Sequence, residues 1–569
     1  MATTQTQNLK LGELLLRKGI IAREDLERAL REQKTKGGFI GQVLVRLGIA
    51  KEEEILPVLS EQLGLPYLVV AALDVPSAVI EKVPAKFASH YKLLPIAFEE
   101  NVLSLAVTDP LNVQMIDDLR ILLGCEVKPI LAGENDILEA VRKYYGLGAG
   151  TLEEMMDLGK KEEAHRTERA VPENIADLAE DASVIKFVNQ ILFQAVQDRA
   201  TDIHIEPYES DLRIRFRIDG ILHDVRFPPT IKNFQSAIIS RLKIMANLDI
   251  AEKRLPQDGR INVKIDEKEL DLRISILPTS FGESVDVRLL STNILYGLEK
   301  LGLSPQDQAI LESVIRKPHG IIFLTGPTGS GKTTTLYACL NKINTPEKKI
   351  ITIEDPIEYQ LRGVTQVQIF PKIGLTFASG LRTMLRHDPD VMMVGEVRDF
   401  ETAEIAIRIA LTGHLVFSTL HTNDAAGAVT RLLDMGIESY LTASSLECLI
   451  AQRLVRCICT ECRKEIAIDP SLLEEFEVSP SEKNISIFEG KGCEACKFTG
   501  YRGRTGIYEL IVIDEEIRDL IAHGRSAAEI KREAQKKGMR TLRQDGWVKI
   551  LKGVTTPGEV LRVTEQEER

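Results

Sequence analysis

A chain of 569 residues and 63.5 kDa is too long for one hydrophobic core, so three or four domains are expected. A hydrophobic fraction of 44% with 27% charged residues excludes wholesale disorder. With 84 acidic against 72 basic residues the net charge is −12, which argues against a sequence-independent grip on nucleic acid as the main role.

The chain opens on MATTQTQNLK, which lacks the apolar core of a secretory signal. No apolar run reaches the ~18 residues of a membrane span. Leu65 to Leu73 comes nearest and contains Pro66. A cytoplasmic location is expected. A shift of 29 residues lays Leu11 on Ile40, Gly12 on Gly41, Leu15 on Leu44 and Gly19 on Gly48. It also lays Leu26 on Ile55, Leu30 on Leu59 and Gln33 on Gln62. Each copy carries apolar residues at helical spacing broken by a glycine, which predicts two short helices per copy. Neither copy could bury its own face, so the two should pack together.

Beyond Tyr67, LLPIAFEE and VLSLAVTD predict strands and MIDDLRILLG a helix, an α/β unit ending near Tyr145. From Gly146 to Asp181 ten acidic residues stand against four basic ones, with four glycines and Pro172. That composition predicts a solvated linker. Ser183 to Gln197 then predicts a helix. DIHIEPYE, LRIRFRIDG, ILHDVRF, ELDLRISILPT and SVDVRLL alternate with period two, burying one face and turning arginines outward. Outward arginines serve solubility or bind anions.

GIIFLTGPTGSGKTTTLYACL is the strongest local signal. A short apolar strand leads into Gly326, Pro327, Thr328, Gly329, Ser330, Gly331, Lys332, Thr333 and Thr334, and a helix follows. Glycines let backbone N–H groups curl around phosphate oxygens, and the helix N-terminus adds its positive end. Lys332 is then expected on the β and γ phosphates and the Thr333 hydroxyl on Mg2+. Two acidic groups follow short apolar strands: Glu354, Asp355 and Glu358 in KIITIEDPIEY, and Glu396 after Val391 to Val394. Carboxylates at strand carboxyl ends sit at the ligand edge of an α/β sheet. The division of metal-holding and water-positioning roles between Glu354 and Glu396 stays open. In LTGHLVFSTLHTNDA, His414 precedes a strand and His421 ends it, readings divided between a γ-phosphate sensor and core packing.

Cys459-x2-Cys462 and Cys493-x2-Cys496 fit a structural zinc site better than a redox pair, with a loop or hairpin between them. Cys125, Cys339 and Cys448 read as core residues, and Cys457 as a neighbour able to compete with Cys459. In the tail, Ser526-x-x-Glu529 and Thr556-Pro557-x-Glu559 fit helix caps.

The phosphate loop, TIEDPIE, GLTFASGLRTMLRHDPDVMMVGEVRD, TGHLVFSTLHTND and the paired CxxC resemble the hexameric secretion ATPases of type II secretion and type IV pilus assembly (GspE/PilB type). The resemblance runs from about Ser183 to the carboxyl end. It implies an α/β fold: a RecA-like P-loop ATPase core (294–456), preceded by a PAS-like domain supplying arginines (182–293). A tetracysteine zinc module (457–504) and a helical carboxyl-terminal region (505–569) would follow. It also implies Glu396 as the Walker B glutamate, Glu354 and Glu358 in the acidic box, and His414 and His421 in the histidine box. Arg273 and Arg288, with Arg382 and Arg386, would contact nucleotide, although charge alone does not prefer them over Arg215, Arg217, Arg254 or Arg260. In this reading the nucleotide bridges two mobile bodies.

The duplication resembles the MshEN type of domain (1–145), whose tandem 24-residue motifs bind cyclic di-GMP; here they span 10–33 and 39–62, with the linker at 146–181 beyond. The resemblance implies cyclic di-GMP near Lys10, Leu11, Gly12, Leu15, Ile40, Gly41 and Leu44. Lys10 and Phe39 stand where such motifs often open with arginine, whose fork grips phosphate and guanine bidentately.

The expectation is a cytoplasmic Mg-ATPase with Zn2+, working as a homohexamer. It would dock peripherally on the cytoplasmic face of the inner membrane, through a polytopic platform protein and membrane-associated cytoplasmic assembly components, without nucleic acid. Pseudopilus assembly for protein secretion is the first reading and pilus extension its rival. A nucleic-acid translocase on the same core and a nucleotide-sensing regulatory module are the other classes.

Overall fold

A computed structural model describes residues 10–70, 73–156, 181–265, 268–291, 297–476 and 486–564, in two compact units, Met1–Leu289 and Leu290–Arg569. Among the described residues no helix is long and apolar enough to cross a membrane.

The first unit begins with the duplication. Helices α1 (Leu11–Arg17) and α2 (Arg23–Lys36) are repeated as α3 (Ile40–Arg46) and α4 (Glu52–Leu63). The copies share their local chemistry. Gly19 and Gly48 turn the chain at φ 72° and 68°, where a side chain would be strained. Asp25 and Glu54 each reach back to a backbone amide ahead of their helix, Ala22 at 3.3 Å and Lys51 at 2.8 Å. Leu15 and Leu44 are fully buried at the centre of the shared core, with Val43, Ile55 and Val58 around them. Strands β1 (Leu93–Glu99), β2 (Val102–Val107) and β3 (Glu126–Leu131) form a sheet backed by the helices Val113–Leu123 and Glu134–Tyr145.

The acidic stretch departs from the expected linker at its start. Residues 149–156 are helical, and Leu152 and Met155 are buried against the core around Phe187. Two apolar side chains three residues apart outweigh the polar composition that surrounds them. The rest of the expected linker, 157–180, lies outside the described residues, as does the boundary expected between 293 and 294.

The second half of this unit packs the helix Ala182–Gln197 against a six-stranded sheet. Its strands are β4 (Ala200–Pro207), β5 (Leu212–Ile218), β6 (Ile221–Asp224), β7 (Gln257–Ile265), β8 (Lys268–Thr279) and β9 (Gly282–Ser291). They lie in the order β6-β5-β4-β9-β8-β7. Ile203, Ile205, Ile214, Phe216, Leu272 and Ile274 alternate inward, as period two requires. Strand β7 and the helix Gln235–Met245 are additions to the sequence reading.

The second unit is built on a seven-stranded sheet in the order β12-β11-β13-β14-β10-β15-β18. Its members are β10 (Gly320–Thr325), β11 (Ile350–Glu354), β12 (Val364–Gln368), β13 (Val391–Val394), β14 (Leu415–Leu420) and β15 (Leu446–Ile458), with β18 (Tyr501–Val512) at one edge. The first six run parallel, and β18 pairs antiparallel with β15. Parallel strands covered on both faces read as continuous apolar runs, and β10, β13 and β14 are buried along their whole length.

The carboxyl-terminal region is therefore not wholly helical: β18 opens it, followed by helices at Glu515–Ala522, Ala527–Lys536, Leu542–Leu551 and Pro557–Thr564. Ser526 caps its helix reciprocally with Glu529, as the sequence suggests. The Thr556 hydroxyl accepts from the Glu559 amide at 3.4 Å, but the Glu559 carboxylate goes elsewhere, to Arg456 at 2.7 Å and Arg562 at 2.9 Å. Burial works to raise the pKa of this carboxyl, yet the two guanidiniums bring it down to about 2. The last helix is thus tied to β15.

Candidate nucleotide site and metal centre

The carboxyl ends of β10, β11, β13 and β14 share one edge of the sheet, since all four strands are parallel and in register. That edge collects the phosphate loop, Glu354, Glu396 and His421. Three glycines shape the loop: Gly326, Gly329 and Gly331 hold φ of 142°, 79° and 87°. A methyl group on Gly326 would come within 2.6 Å of the Gln452 carbonyl oxygen, and on Gly331 within 2.8 Å of the Gln452 side-chain nitrogen. Glycine is required there by space as well as by φ.

Pro327, Thr328 and Gly329 form the exposed crown of the loop, while Gly326 and Ser330 are buried. The Ser330 hydroxyl oxygen is buried with no hydrogen-bond partner, in a loop whose geometry suits an anion. Lys332 opens the helix Lys332–Ile343, and half-buried Thr333 and Thr334 follow it. The Lys332 ammonium donates to the carbonyls of Gly326 at 2.6 Å and Pro327 at 3.0 Å, folding back across the curl of the loop. Burial, and then the nearby Arg453 charge, lower its pKa to about 8 against the opposing pull of Glu396.

The two acidic groups differ sharply. Glu354 is buried, and its carboxylate accepts from the Tyr337 hydroxyl, from the Thr352 hydroxyl at 2.5 Å and from Gln366 at 3.1 Å. Burial raises its pKa against those three donors. Glu358 sits beside it, half-buried, its amide 3.4 Å from the Tyr337 hydroxyl oxygen. Glu396 follows β13 after Gly395, and its carboxylate meets Arg398 at 2.6 Å and the His421 ring at 3.4 Å. Glu354 is an internal acceptor; Glu396 is the half-buried carboxylate at the loop edge.

The histidines separate as well. His421 follows β14 at the loop edge, whereas His414 precedes it, at the opposite end of the same strand. The His414 ring is 3.2 Å from the Ile409 carbonyl and 3.4 Å from the Thr412 hydroxyl, so within its own chain it closes a helix end rather than reaching phosphate. Arg382 lies on the helix Phe377–Met384, exposed and paired with Glu401 at 2.6 Å; Arg386 is exposed and donates to the Arg382 carbonyl at 2.9 Å.

In the first unit, Arg273 on β8 is half-buried opposite Arg260 of β7. Arg288 on β9 is exposed, its Nε 2.8 Å from buried Asp202, which also stands 3.6 Å from Arg217. Arg215 makes a two-pronged pair with Glu206 at 2.7 and 2.8 Å. Three of the outward arginines are therefore matched by carboxylates on their own sheet.

Of the residues expected to meet cyclic di-GMP, Lys10 is exposed, and Leu11, Ile40 and Gly41 are half-buried. Leu15 and Leu44 are not available to a ligand, because both are fully enclosed in the helical core. Gly12 is buried too, and a methyl there would strike Leu26 at 2.5 Å.

The four cysteines of the two CxxC pairs converge. Cys459 Sγ is 3.8 Å from Cys493 Sγ, Cys462 Sγ is 3.8 Å from Cys496 Sγ, and Cys493 and Cys496 are 3.7 Å apart. Four sulfurs about 2.3 Å from a central zinc at tetrahedral angles would lie about 3.8 Å apart. Amides of Cys493 and Gly500 point at Cys496 Sγ, at 3.2 and 3.3 Å, as donors to a thiolate would. The donor set and spacing fit zinc, and Cys457 is outside the group. Between the pairs, β16 (Arg463–Ala467) and β17 (Ser486–Gly490) make the expected two-stranded sheet. Cys339 and Cys448 are buried apolar residues, burial pushing the Cys339 thiol up to about 12. Cys125 is half-buried against the first unit's core.

Two contributors to the site escape the sequence reading. Gln452 and Arg453, on β15 beside β10, lie directly under the loop: Gln452 accepts from the Thr335 hydroxyl at 2.8 Å, and Arg453 is buried. A polar pair interrupting the apolar strand LECLIAQRLV is the signal that points to them.

Residues 177–562 match the type II/IV secretion system protein family, and 63–151 match the MshEN domain. The MshEN match falls after the tandem helical motifs rather than over them. The type IV pilus assembly ATPase PilB of Myxococcus xanthus is 44% identical over 557 residues, covering 97% of this chain and 98% of that protein. The type II secretion system protein E of Xanthomonas campestris pv. campestris is 43% identical over 565 residues, 98% of each chain. The solved Legionella pneumophila ATPase DotB superposes with a TM-score of 0.50 at 22% identity, covering 67% of this chain and 96% of that one, a likeness of fold.

Proposed function

The chain belongs to the type II/IV secretion system protein family, and on that premise we propose that it is a homohexameric motor that powers assembly of a type II secretion pseudopilus. It is an ATP-hydrolysing enzyme of the phosphate-loop class. In our reading it works in the cytoplasm, docked on the inner membrane through a polytopic platform protein and membrane-associated assembly components.

The observation that carries the reading is the shared sheet edge, where Lys332, Glu396 and His421 come together around a glycine-shaped loop. The backbone N–H groups of Thr328 to Thr334 would wrap the phosphates, and the Lys332 ammonium would leave its two carbonyls for the β and γ oxygens. The Thr333 hydroxyl would hold Mg2+, which supplies Lewis-acid polarisation when bound. Glu396 would orient the attacking water, with His421 beside it to register the γ-phosphate. Glu354, with Glu358, supports that edge from inside. Arg273, Arg288, Arg382 and Arg386 would neutralise charge on the transferred phosphoryl. Phosphate release after Lys332→Ala tests the site: we expect none above background in a folded protein, and near-normal turnover contradicts it.

The paired cysteines would hold one structural Zn2+, closed to catalysis because protein fills all four positions. The amino-terminal motifs would take cyclic di-GMP through Lys10, Leu11, Ile40 and Gly41, which titration calorimetry with that dinucleotide decides.

Type IV pilus extension is the second reading, favoured by the Myxococcus relative that matches along 97% of the chain. A deletion strain separates the two: loss of exported enzymes supports secretion, and loss of surface pili with intact export supports extension.

A further inference from the structure

Under the phosphate loop, β15 presents two polar side chains where an apolar strand would be the default. Arg453 is 6% exposed. Its guanidinium joins the His421 loop to its own strand: Nη2 donates to the Asn423 carbonyl at 2.7 Å, and Nη1 to the carbonyl of Gln452, the residue before it on β15, at 3.2 Å. A methyl group on Gly326 would come within 3.0 Å of Nη1, so the fork lies against the first residue of the phosphate loop. Asn423 belongs to the loop that begins at His421, and that loop is held again where Thr325 donates to the Asp424 carbonyl at 3.2 Å. Its far end is fixed by the Ala425 amide donating to buried Glu509 at 3.0 Å.

A buried guanidinium is costly to desolvate, and an apolar residue could fill the space beneath a loop at less cost. A planar fork is the group that can hold two carbonyls in fixed relative positions. We propose that Arg453 is a positioning residue that locks the phosphate loop to the His421 loop, so that phosphate binding and the alignment of Glu396 and His421 are set together. This rests on the phosphate-site reading above. The residue acts through Gly326 and Asn423.

The test compares Arg453→Gln and Arg453→Lys with the parent chain, reading kcat, KM for ATP, and affinity for a non-hydrolysable ATP analogue. Losing the fork should cut kcat tenfold to a hundredfold in both variants, on the order expected for a small misplacement of reacting groups. Analogue affinity should fall with it, because one lock sets both. Arg453→Lys keeps the cation without the fork, so it separates geometry from charge. Wild-type kcat in Arg453→Gln, or a kcat restored by Arg453→Lys, overturns the proposal. Should Arg453→Gln fail to fold by circular dichroism, Arg453→Lys decides alone: a reduced kcat supports the lock, and a wild-type kcat overturns it. Lys332→Ala is run alongside. Hydrolysis by that variant defeats the phosphate-site reading itself; a dead Lys332→Ala with unaffected Arg453 variants defeats only the lock.

Discussion

The His421 ring nitrogen Nε2 stands 3.4 Å from a Glu396 carboxylate oxygen, across the carboxyl ends of two neighbouring parallel strands. Neither residue is near the other in sequence; the sheet brings them together. Their meeting beside the phosphate loop separates Glu396 from Glu354, which the sequence leaves equivalent.

Lys332 gives the first prediction, a pH dependence of binding. In the free protein its pKa is lowered to about 8, and a bound triphosphate, being anionic, raises it. Binding therefore takes up a proton above that pH. Affinity for an ATP analogue is expected to be level below pH 8 and to fall up to about tenfold per pH unit above it. Lys332→Arg, charged throughout, should flatten the curve. Isothermal titration from pH 7 to 10 measures both; a wild-type affinity level to pH 10 contradicts the prediction.

Tyr337→Phe should destabilise the second unit through Glu354. The lost hydroxyl is a donor to a buried carboxylate, and stranding such a group costs about 1–3 kcal/mol. The folded pKa of Glu354 is raised, so its contribution to stability is full below the ordinary glutamate range and fades as pH rises through the folded value. Removing a donor to the ionised form makes that fade steeper. The drop in Tm of the variant should be larger at pH 8 than at pH 5 in calorimetric scans. An equal drop at both pH values would show that Glu354 is not the group affected.

About one zinc per chain is expected by elemental analysis, since four thiolates close one tetrahedral site. Cys496→Ser should lower that content by at least about half, given a ligand set reduced to three. It should also loosen the β16–β17 sheet, read as faster proteolysis between residues 459 and 504. Full zinc in the variant, or none in the parent chain, contradicts the assignment.

The features legible in the sequence are those whose signal is local. The duplication shows in paired positions such as Gly19 and Gly48, the phosphate loop in its glycines, and β13 in four consecutive apolar residues. Strand β18 was hidden because YRGRTGIYELIV earns its place by pairing with β15, some fifty residues earlier. Helix 149–156 was hidden because two buried residues sit among acidic ones. Arg453 was hidden for a topological reason: in sequence it is one more basic residue, and only the adjacency of β15 to β10 puts it under the loop. The split between Glu354 and Glu396 depends on Tyr337 and Gln366, which flank Glu354 from other elements.

The account centres on Glu396 as the group that turns a bound triphosphate over. The direct test is single-turnover hydrolysis by Glu396→Gln, with ATP-analogue binding measured on the same protein. The variant should bind within about threefold of the parent and hydrolyse about a hundredfold to a thousandfold more slowly, the loss typical of one catalytic group. Parent-like hydrolysis by Glu396→Gln would contradict it.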